Sequence, residues 1–195
     1  AIFQEENIAS IYSMEGINSS DMAGGYSAGE RDAIFFRSKS TGEIIRTFRI
    51  TEDMTLSSVT FSPDGKIMAT VWGERGQWDK KTIFLIDMST GERLINLKGN
   101  DPIAFSPDGS LLASGSQGNK LTIWDIITGE PLPVSLGLVP EKFNQPYKQS
   151  LIFSPDNSTI VILSDIITFR DLTSGKQLKT FNNNSDFWLD FWGFD

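Results

Sequence analysis

Apolar residues in this chain occur in short runs that are separated by turn-forming phrases, and the runs follow two patterns. Runs of the first kind alternate with polar residues, as expected for strands with one face in the core. Runs of the second kind are apolar or nearly so at successive positions, namely Ile83–Ile86, Leu121–Trp124 and Ile166–Phe169. A strand of the second kind needs cover on both faces, which favours a sheet pressed between two neighbouring sheets.

Five copies of one turn phrase divide the chain at nearly even intervals. The clear copies are Phe61–Gly65, Phe105–Gly109 and Phe153–Asn157. A degenerate (worn) copy is Tyr12–Gly16, and a further copy begins at Phe191. The aromatic residues that open the clear copies stand 44 and 48 residues apart. In the phrase Ser-Pro-Asp-Gly, proline and aspartate suit the second and third positions of a turn, and glycine accepts a positive φ. Asparagine tolerates the same region in the last clear copy.

A second turn marker follows each of the first four copies, at Ser40–Glu43, Ser89–Glu92, Ile127–Glu130 and Thr173–Lys176. The short β-rich runs between the two markers predict a unit of four strands, a to d, joined by tight turns. Strand c is the run that is apolar on both faces. An all-β fold of radially packed four-stranded blades satisfies this pattern, since propeller blades contain roughly 40 to 45 residues.

The unit resembles a WD40 repeat, because Trp124–Gly129 carries the Trp-Asp signature and the turn that usually follows it. Asp87 and Asp171 keep the aspartate at the equivalent place, and the resemblance covers residues 49–181 well and 7–48 loosely. It implies a β-propeller of WD40 type with about four four-stranded blades in this chain. We expect the blades at about residues 7–48, 55–97, 101–135 and 148–181, with the start of a further blade at 186–195.

The sequence also departs from the family pattern. It contains no histidine, so the Gly-His pair of the family and its polar network are absent, and Ile86, Arg170 and Arg37 replace the signature tryptophan in the other units. Because the family usually closes with about seven blades, we expect the chain to be part of a larger propeller. We expect residues 7–13 to form strand a of the first unit in this chain. A compact four-bladed ring and the self-association of two half-rings remain open alternatives.

Composition narrows the classes of function. The chain of 195 residues has a formal charge of −8 and a pI of about 4.6, which works against binding to nucleic acid or to an anionic membrane. Without cysteine or histidine there is no thiolate nucleophile, no imidazole base and no Cys/His zinc site. Gly25–Gly29 matches the nucleophile-elbow pattern, but no histidine can activate Ser27. We therefore expect a protein that is not an enzyme and that uses no cofactor or metal; the cytoplasm is the default location.

Two expanded connections are the candidate binding regions. The b–c turn of the second unit, Gly73–Lys81, is longer than its equivalents, and the link from Gly129 to Phe153 is longer than the link from Gly91 to Phe105. Connections on a rigid scaffold commonly carry recognition residues, and tryptophan and arginine are enriched among binding hot spots. The residues predicted to bind a partner are Arg75, Trp78, Lys142, Phe143 and Tyr147.

In the WD40 family these two kinds of connection share one rim, so the resemblance implies a non-catalytic scaffold that binds a protein or peptide there. The alternative function is a sensor or gating domain of a larger enzyme, a hydrolase or a kinase. The plain alternatives for the two regions are a solvated hairpin whose Trp78 packs on a neighbouring blade, and loop variation without a function.

Overall fold

A computed structural model describes residues 7–12, 33–38, 40–49, 54–74, 77–116, 120–136, 150–164 and 166–182. Within these ranges every regular element is a β-strand. The strands are β1 (Asn7–Tyr12), β2 (Ala33–Ser38), β3 (Ile44–Arg49), β4 (Met54–Phe61), β5 (Ile67–Glu74), β6 (Gln77–Asp87), β7 (Arg93–Lys98), β8 (Asn100–Phe105), β9 (Leu111–Ser116), β10 (Lys120–Asp125), β11 (Ser150–Phe153), β12 (Thr159–Leu163), β13 (Ile166–Asp171) and β14 (Gln177–Asn182).

The described strands form four sheets in series, which we call blades 1 to 4. Blade 1 is β1-β2-β3, blade 2 is β4-β5-β6-β7, blade 3 is β8-β9-β10 and blade 4 is β11-β12-β13-β14. Neighbours in each sheet are consecutive in the sequence, so each blade is a meander. This arrangement confirms the predicted all-β fold, a β-propeller of WD40 type with about four blades in this chain.

The chain divides into two compact units, residues 1–101 and 102–195, each with its own apolar core. The core of the first unit lies between blades 1 and 2 and is formed by Ile34, Phe36, Met68, Trp72, Phe84, Ile86 and Met88. The core of the second unit lies between blades 3 and 4 and is formed by Ala113, Leu121, Ile123, Leu136, Leu151, Phe153, Ile160, Ile162 and Leu172. Burying one such aliphatic side chain stabilises the fold by about 1.5 to 3 kcal/mol.

Burial along strand c agrees with the sequence pattern in blade 2. All four residues of Ile83–Ile86 are at most 5% exposed, so both faces of β6 are covered, as predicted. In blade 3 the pattern is similar, with Leu121, Ile123 and Trp124 buried. In blade 4 only Thr168 is buried and the other residues of β13 are half-buried, so the prediction of full cover is not met on this strand.

Blade 1 differs from the expected order of strands. We expected residues 7–13 to be strand a, but β1 pairs directly with β2, from Asn7 opposite Ser38 to Tyr12 opposite Ala33. β2 is strand c, because the c–d turn follows it and leads into β3. β1 therefore occupies the place of strand b, because adjacency in a sheet is set by backbone hydrogen bonds and not by the order of turn phrases.

In the described part of the chain, blade 3 has three of the four expected strands. After the c–d turn, a single bridge joins Trp124 to Pro131, and the Leu132 N–H donates to the Ile123 carbonyl at 2.8 Å. Beyond this point no pairing with β10 continues in the described part of the chain. The segment 133–136 instead leads Leu136 into the core of the second unit.

Candidate functional site

The three Ser-Pro-Asp turns between strands a and b are built alike. In the turn of blade 2, the Ser62 hydroxyl donates to the Asp64 carboxylate at 2.7 Å and accepts the Ile67 N–H at 2.9 Å. The Lys66 N–H also donates to Asp64, at 3.1 Å. Gly65 adopts a φ of 68°, as the turn phrase predicted.

The turns of blades 3 and 4 repeat these contacts. Ser106 donates to Asp108 at 2.6 Å, and Ser154 donates to Asp156 at 2.6 Å. In blade 4 the glycine position is held by Asn157, which has a φ of 57°. The prediction that asparagine takes the left-handed region here is confirmed. The serine hydroxyl, which the sequence analysis gave no role, closes the turn in all three blades.

These hydrogen bonds lower the pKa of the turn aspartates. The serine hydroxyl is the largest cause, followed by the backbone N–H two residues on, and together they lower the pKa of Asp64, Asp108 and Asp156 from 3.8 to about 2. A hydrogen bond to the charged form of an acid favours that form. The three carboxylates are thus structural acceptors and remain ionised near neutral pH.

The aspartate of the Trp-Asp signature closes the c–d turn in a similar way. Asp87 accepts the N–H groups of Ser89 and Thr90 at 2.7 and 2.8 Å. Asp125 and Asp171 accept equivalent bonds, and the hydrogen bonds lower the pKa of each carboxyl, with the Ser89 hydroxyl as largest cause at Asp87. The resemblance to the family in this turn is therefore a resemblance in local hydrogen bonding.

Within each unit, residues of the first blade contact the c–d turn of the second blade. In the first unit, Arg46 of β3 donates to the carbonyl oxygens of Met88 and Ser89 in the turn of blade 2. In the second unit, Val134 and Ser135 lie against Gly175 of the blade 4 turn. A Cβ atom on Gly175 would lie 2.9 Å from the carbonyl carbon of Ser135 and even closer to its oxygen, so this glycine is needed for the close approach as well as for its φ of 71°.

The signature tryptophan makes a buried hydrogen bond inside blade 3. The Trp124 Nε1–H donates to the Ser114 hydroxyl at 2.9 Å, and both residues are buried. This bond joins strand c to strand b inside blade 3. A buried indole N–H usually finds such a partner, so the tryptophan is held in place although the chain has no histidine.

The predicted long turn of blade 2 is largely strand, which corrects the expectation of a loop. β5 ends at Glu74 and β6 begins at Gln77. Gly73 pairs with Lys81 but Glu74 pairs with Gln77, so residues 78–80 form an irregularity of β6 that absorbs the additional length. Bulges of this kind re-aim side chains and increase the local twist of a strand.

The residues predicted to bind a partner fall mostly beyond the described ranges. Trp78 is placed by its backbone, on the irregular part of β6. Arg75, Lys142, Phe143 and Tyr147 lie outside the described residues. The same holds for the worn turn phrase after Tyr12, for Gly25–Gly29 and for residues 186–195. The structure thus gives no distance between the two predicted binding regions.

A half-buried polar cluster lies at the base of the β5–β6 hairpin. The Lys81 Nζ lies 2.7 Å from the Asp101 Oδ2 and donates to the Ser57 hydroxyl at 2.8 Å. The Ser57 hydroxyl in turn donates to Asp101. The side chains of Lys81 and Asp101 are 15% and 21% exposed, so this pair is shielded from solvent far better than a surface salt bridge. Sequence reasoning missed it, because Ser57 and Asp101 belong to different turn-delimited units.

The other carboxylate oxygen of Asp101, Oδ1, is buried and has no hydrogen-bond partner among the residues that the structure describes. No group of three or more His, Cys, Asp or Glu side chains in the described ranges could hold a metal ion. Among the same residues, no helix has the length and apolar character needed to cross a membrane.

Comparison with known proteins agrees with the fold. The family model "WD domain, G-beta repeat" matches residues 92–125, which run from the c–d turn of blade 2 to the end of β10. The chain is 30% identical over 151 residues to a periodic tryptophan protein 2 homolog from Schizosaccharomyces pombe, which covers 72% of this chain and 16% of that protein.

Two further relatives match shorter parts. A serine-threonine kinase receptor-associated protein from Gallus gallus is 34% identical over 57% of this chain and 31% of its own length. The human apoptotic protease-activating factor 1 is 30% identical over 42% of this chain and 7% of its own length. The chain thus spans at most about a third of these relatives. With its repeated turns, its Trp-Asp signature and its four-sheet order, the chain belongs to the WD40-repeat family, and its repeats are degenerate.

Proposed function

We propose that this chain is a non-catalytic interaction scaffold that holds a protein or peptide through Arg75, Trp78, Lys142, Phe143 and Tyr147. Membership of the WD40-repeat family supports the general role of a protein-interaction scaffold. The names of two relatives, a serine-threonine kinase receptor-associated protein and an apoptotic protease-activating factor, describe proteins that associate with or activate another protein. The site residues are the more specific part of the proposal.

The β5–β6 hairpin is the observation that carries the proposal. Pairing between β6 and β7 ends at Thr82, opposite Lys98, whereas β6 itself extends back to Gln77. The hairpin therefore projects past the outer strand of its blade. The ion pair of Lys81 and Asp101 holds the base of the projection, and a base that is fixed before binding reduces the conformational entropy that is lost when a partner docks.

Substitution of Trp78 tests the proposal. A partner isolated with the wild-type chain is identified by mass spectrometry, and its affinity is then measured for Trp78→Ala and Arg75→Glu. We expect at least a ten-fold loss of affinity, because truncation of a hot-spot residue costs about 2 kcal/mol or more, with an unchanged melting temperature. Ile127→Ala is the matched control, since Ile127 is apolar, 83% exposed and located in a different turn. Full affinity of Trp78→Ala would refute the assignment.

A sensor or gating domain of a larger enzyme is the second candidate. It is favoured by the small share of each longer relative that this chain covers, 16% and 7% in two cases. If this candidate is right, sequencing of the full open reading frame should reveal a hydrolase or kinase domain. The activity of that domain should change when Trp78 is replaced. A reading frame that encodes only WD40 repeats would remove this candidate.

A further inference from the structure

Strand c of a blade is covered along its outer edge by strand d in three of the four blades. In blade 2, β6 pairs with β7 from Thr82 opposite Lys98 to Ile86 opposite Arg93. In blade 4, β13 pairs with β14 from Ile166 opposite Asn182. β2 and β3 of blade 1 pair over the same positions. The backbone groups on this edge therefore have partners in each of these blades.

Among the described residues, blade 3 has no strand that covers this edge. The last ladder bond on the outer edge of β10 runs from the Leu132 N–H to the Ile123 carbonyl. Since outward-facing residues alternate along a strand, the N–H and C=O of Leu121 point to the same outer edge. Neither group has a hydrogen-bond partner in the described part of the chain. An edge with free donors and acceptors is a template for pairing with another strand.

Proline accounts for the end of the ladder. The residue four positions after the turn glycine is Arg46, Ile95 or Lys179 in the other blades, and each pairs with strand c. In blade 3 this residue is Pro133, which has no N–H to donate. The chain then moves away from β10, because Val134 and Ser135 pack on the turn at Gly175.

A groove of about 420 Å³ lies between the free edge and the departing segment. It is lined by Ser116, Lys120, Leu121, Thr122 and Pro133–Leu136. Leu121 and Leu136 are almost fully buried, whereas Lys120 is exposed. Lys120 is the one charged side chain among these lining residues, so the groove combines backbone hydrogen-bonding groups, an apolar floor and a positive charge.

We propose that this groove binds an extended peptide segment of a partner protein as the fourth strand of blade 3. The peptide runs antiparallel to β10 and carries an acidic residue opposite Lys120. The blades that have a strand d show the register, because the position of Lys120 corresponds to Thr82, which faces Lys98. Addition of a strand to an open sheet edge is an established mode of peptide recognition. The groove shares no residue with the site of the proposed function.

The strand d of blade 2 supplies the probe. A capped peptide with the sequence Arg93–Lys98 carrying the change K98E places glutamate opposite Lys120, and the unchanged peptide places lysine there. Affinity is measured by titration, and amide hydrogen exchange of Leu121 and Ile123 is followed by NMR. We expect the K98E peptide to bind about five-fold more tightly, as opposite charges attract and like charges repel across a strand pair. We also expect it to slow exchange of the Leu121 amide.

A charge exchange and the free protein provide the controls. The substitution Lys120→Glu should reverse the order of the two peptides, while exchange of the Ile83 amide, which β7 already covers, should stay unchanged. An order of affinity that does not depend on residue 120 would overturn the proposal. Slow exchange of the Leu121 amide in the free protein would overturn the proposal as well. If the exchange is slow at all protein concentrations, the chain itself covers the edge. If it is slow only at high concentration, a second copy of the chain covers the edge.

Discussion

Blades 3 and 4 lie in the same unit and have the same turns, yet within the described ranges only blade 4 has a complete outer strand. Their a–b turns share the Ser-Asp hydrogen bond at 2.6 Å, and their c–d turns share an aspartate that accepts backbone N–H groups. The difference begins four residues after the turn glycine, where Lys179 pairs with β13 and Pro133 does not pair with β10. Turns of the same local sequence are thus built alike in both blades, whereas the pairing of the following segment differs from the position of Pro133 onwards.

The largest expected effect concerns the contact of Val134 and Ser135 of blade 3 with Gly175 in the c–d turn of blade 4. Gly175→Ala should destabilise the protein by about 3 to 5 kcal/mol, because the new methyl group would overlap the Ser135 carbonyl and the φ is positive. Gly42→Ala is the control, since its φ is also positive but no atom lies within 4 Å. It should cost only about 1 to 2 kcal/mol. Equal losses in urea denaturation would mean that the segment does not pack on this turn.

A smaller effect is expected from the tryptophan that ties β10 to β9. Trp124→Phe removes the donor to the Ser114 hydroxyl and should cost about 1 to 2 kcal/mol in the free energy of unfolding. Ser114→Ala leaves the indole N–H without an acceptor and should cost a similar amount. The double variant should cost less than the sum of the two, because each single change already removes the bond. Additive losses would show that the bond contributes nothing.

Replacing Pro133 by a residue with a backbone N–H makes the outer edge of blade 3 more like that of blade 4. Pro133→Lys copies the residue found at Lys179 and should slow exchange of the Ile123 amide, with a gain in stability of about 0.5 to 1 kcal/mol. It should also weaken binding of the peptide probe, because the new strand competes for the edge. Pro131→Gln is the control, since residue 131 lies at a bridge position that donates no bond to β10. Unchanged exchange in Pro133→Lys would assign the divergence to the packing of Val134 and Ser135 instead.

The smallest effect on stability comes from the turn aspartates Asp108 and Asp156, which blades 3 and 4 have in common. The pKa of both Asp108 and Asp156 is about 2, below the ordinary 3.8. Their ionised forms therefore stabilise the fold above about pH 4, and this contribution is lost as the pH falls towards 2. NMR titration of the carboxyl carbons should give equal values in wild type and higher values after Ser106→Ala or Ser154→Ala. A wild-type pKa near 3.8 in one blade would show that the turns differ.

Much of the fold could be predicted from the sequence because its turn signals are local. Gly65, Gly109 and Asn157 were identified by residue type, and all three have a positive φ. The apolar run Ile83–Ile86 correctly predicted a strand that is covered on both faces. These features depend on residues that are close in sequence, so a single sequence is enough to find them.

Features that depend on pairing between distant residues could not be predicted in the same way. The cluster of Ser57, Lys81 and Asp101 joins three strands, and no local pattern marks it. The place of β1 beside β2 likewise follows from pairing. Pro133 marks the place where pairing on the outer edge of β10 ends in the described residues, but its effect becomes clear only when the same ladder position is compared across the blades. The five residues predicted to bind a partner stay a prediction.

In the first clear copy of the Ser-Pro-Asp turn, the side chains of Ser62 and Asp64 find their hydrogen-bond partners within six consecutive residues, from Ser62 to Ile67. A DNA segment that encodes this turn therefore also encodes these partners, so gene duplication can copy the turn as one piece. The segments between the copies differ in length, as the unequal spacings of 44 and 48 residues show. Three units of this chain have the Ser-Pro-Asp turn but only one has the Trp-Asp signature, so the units are most alike at their turns and differ between them.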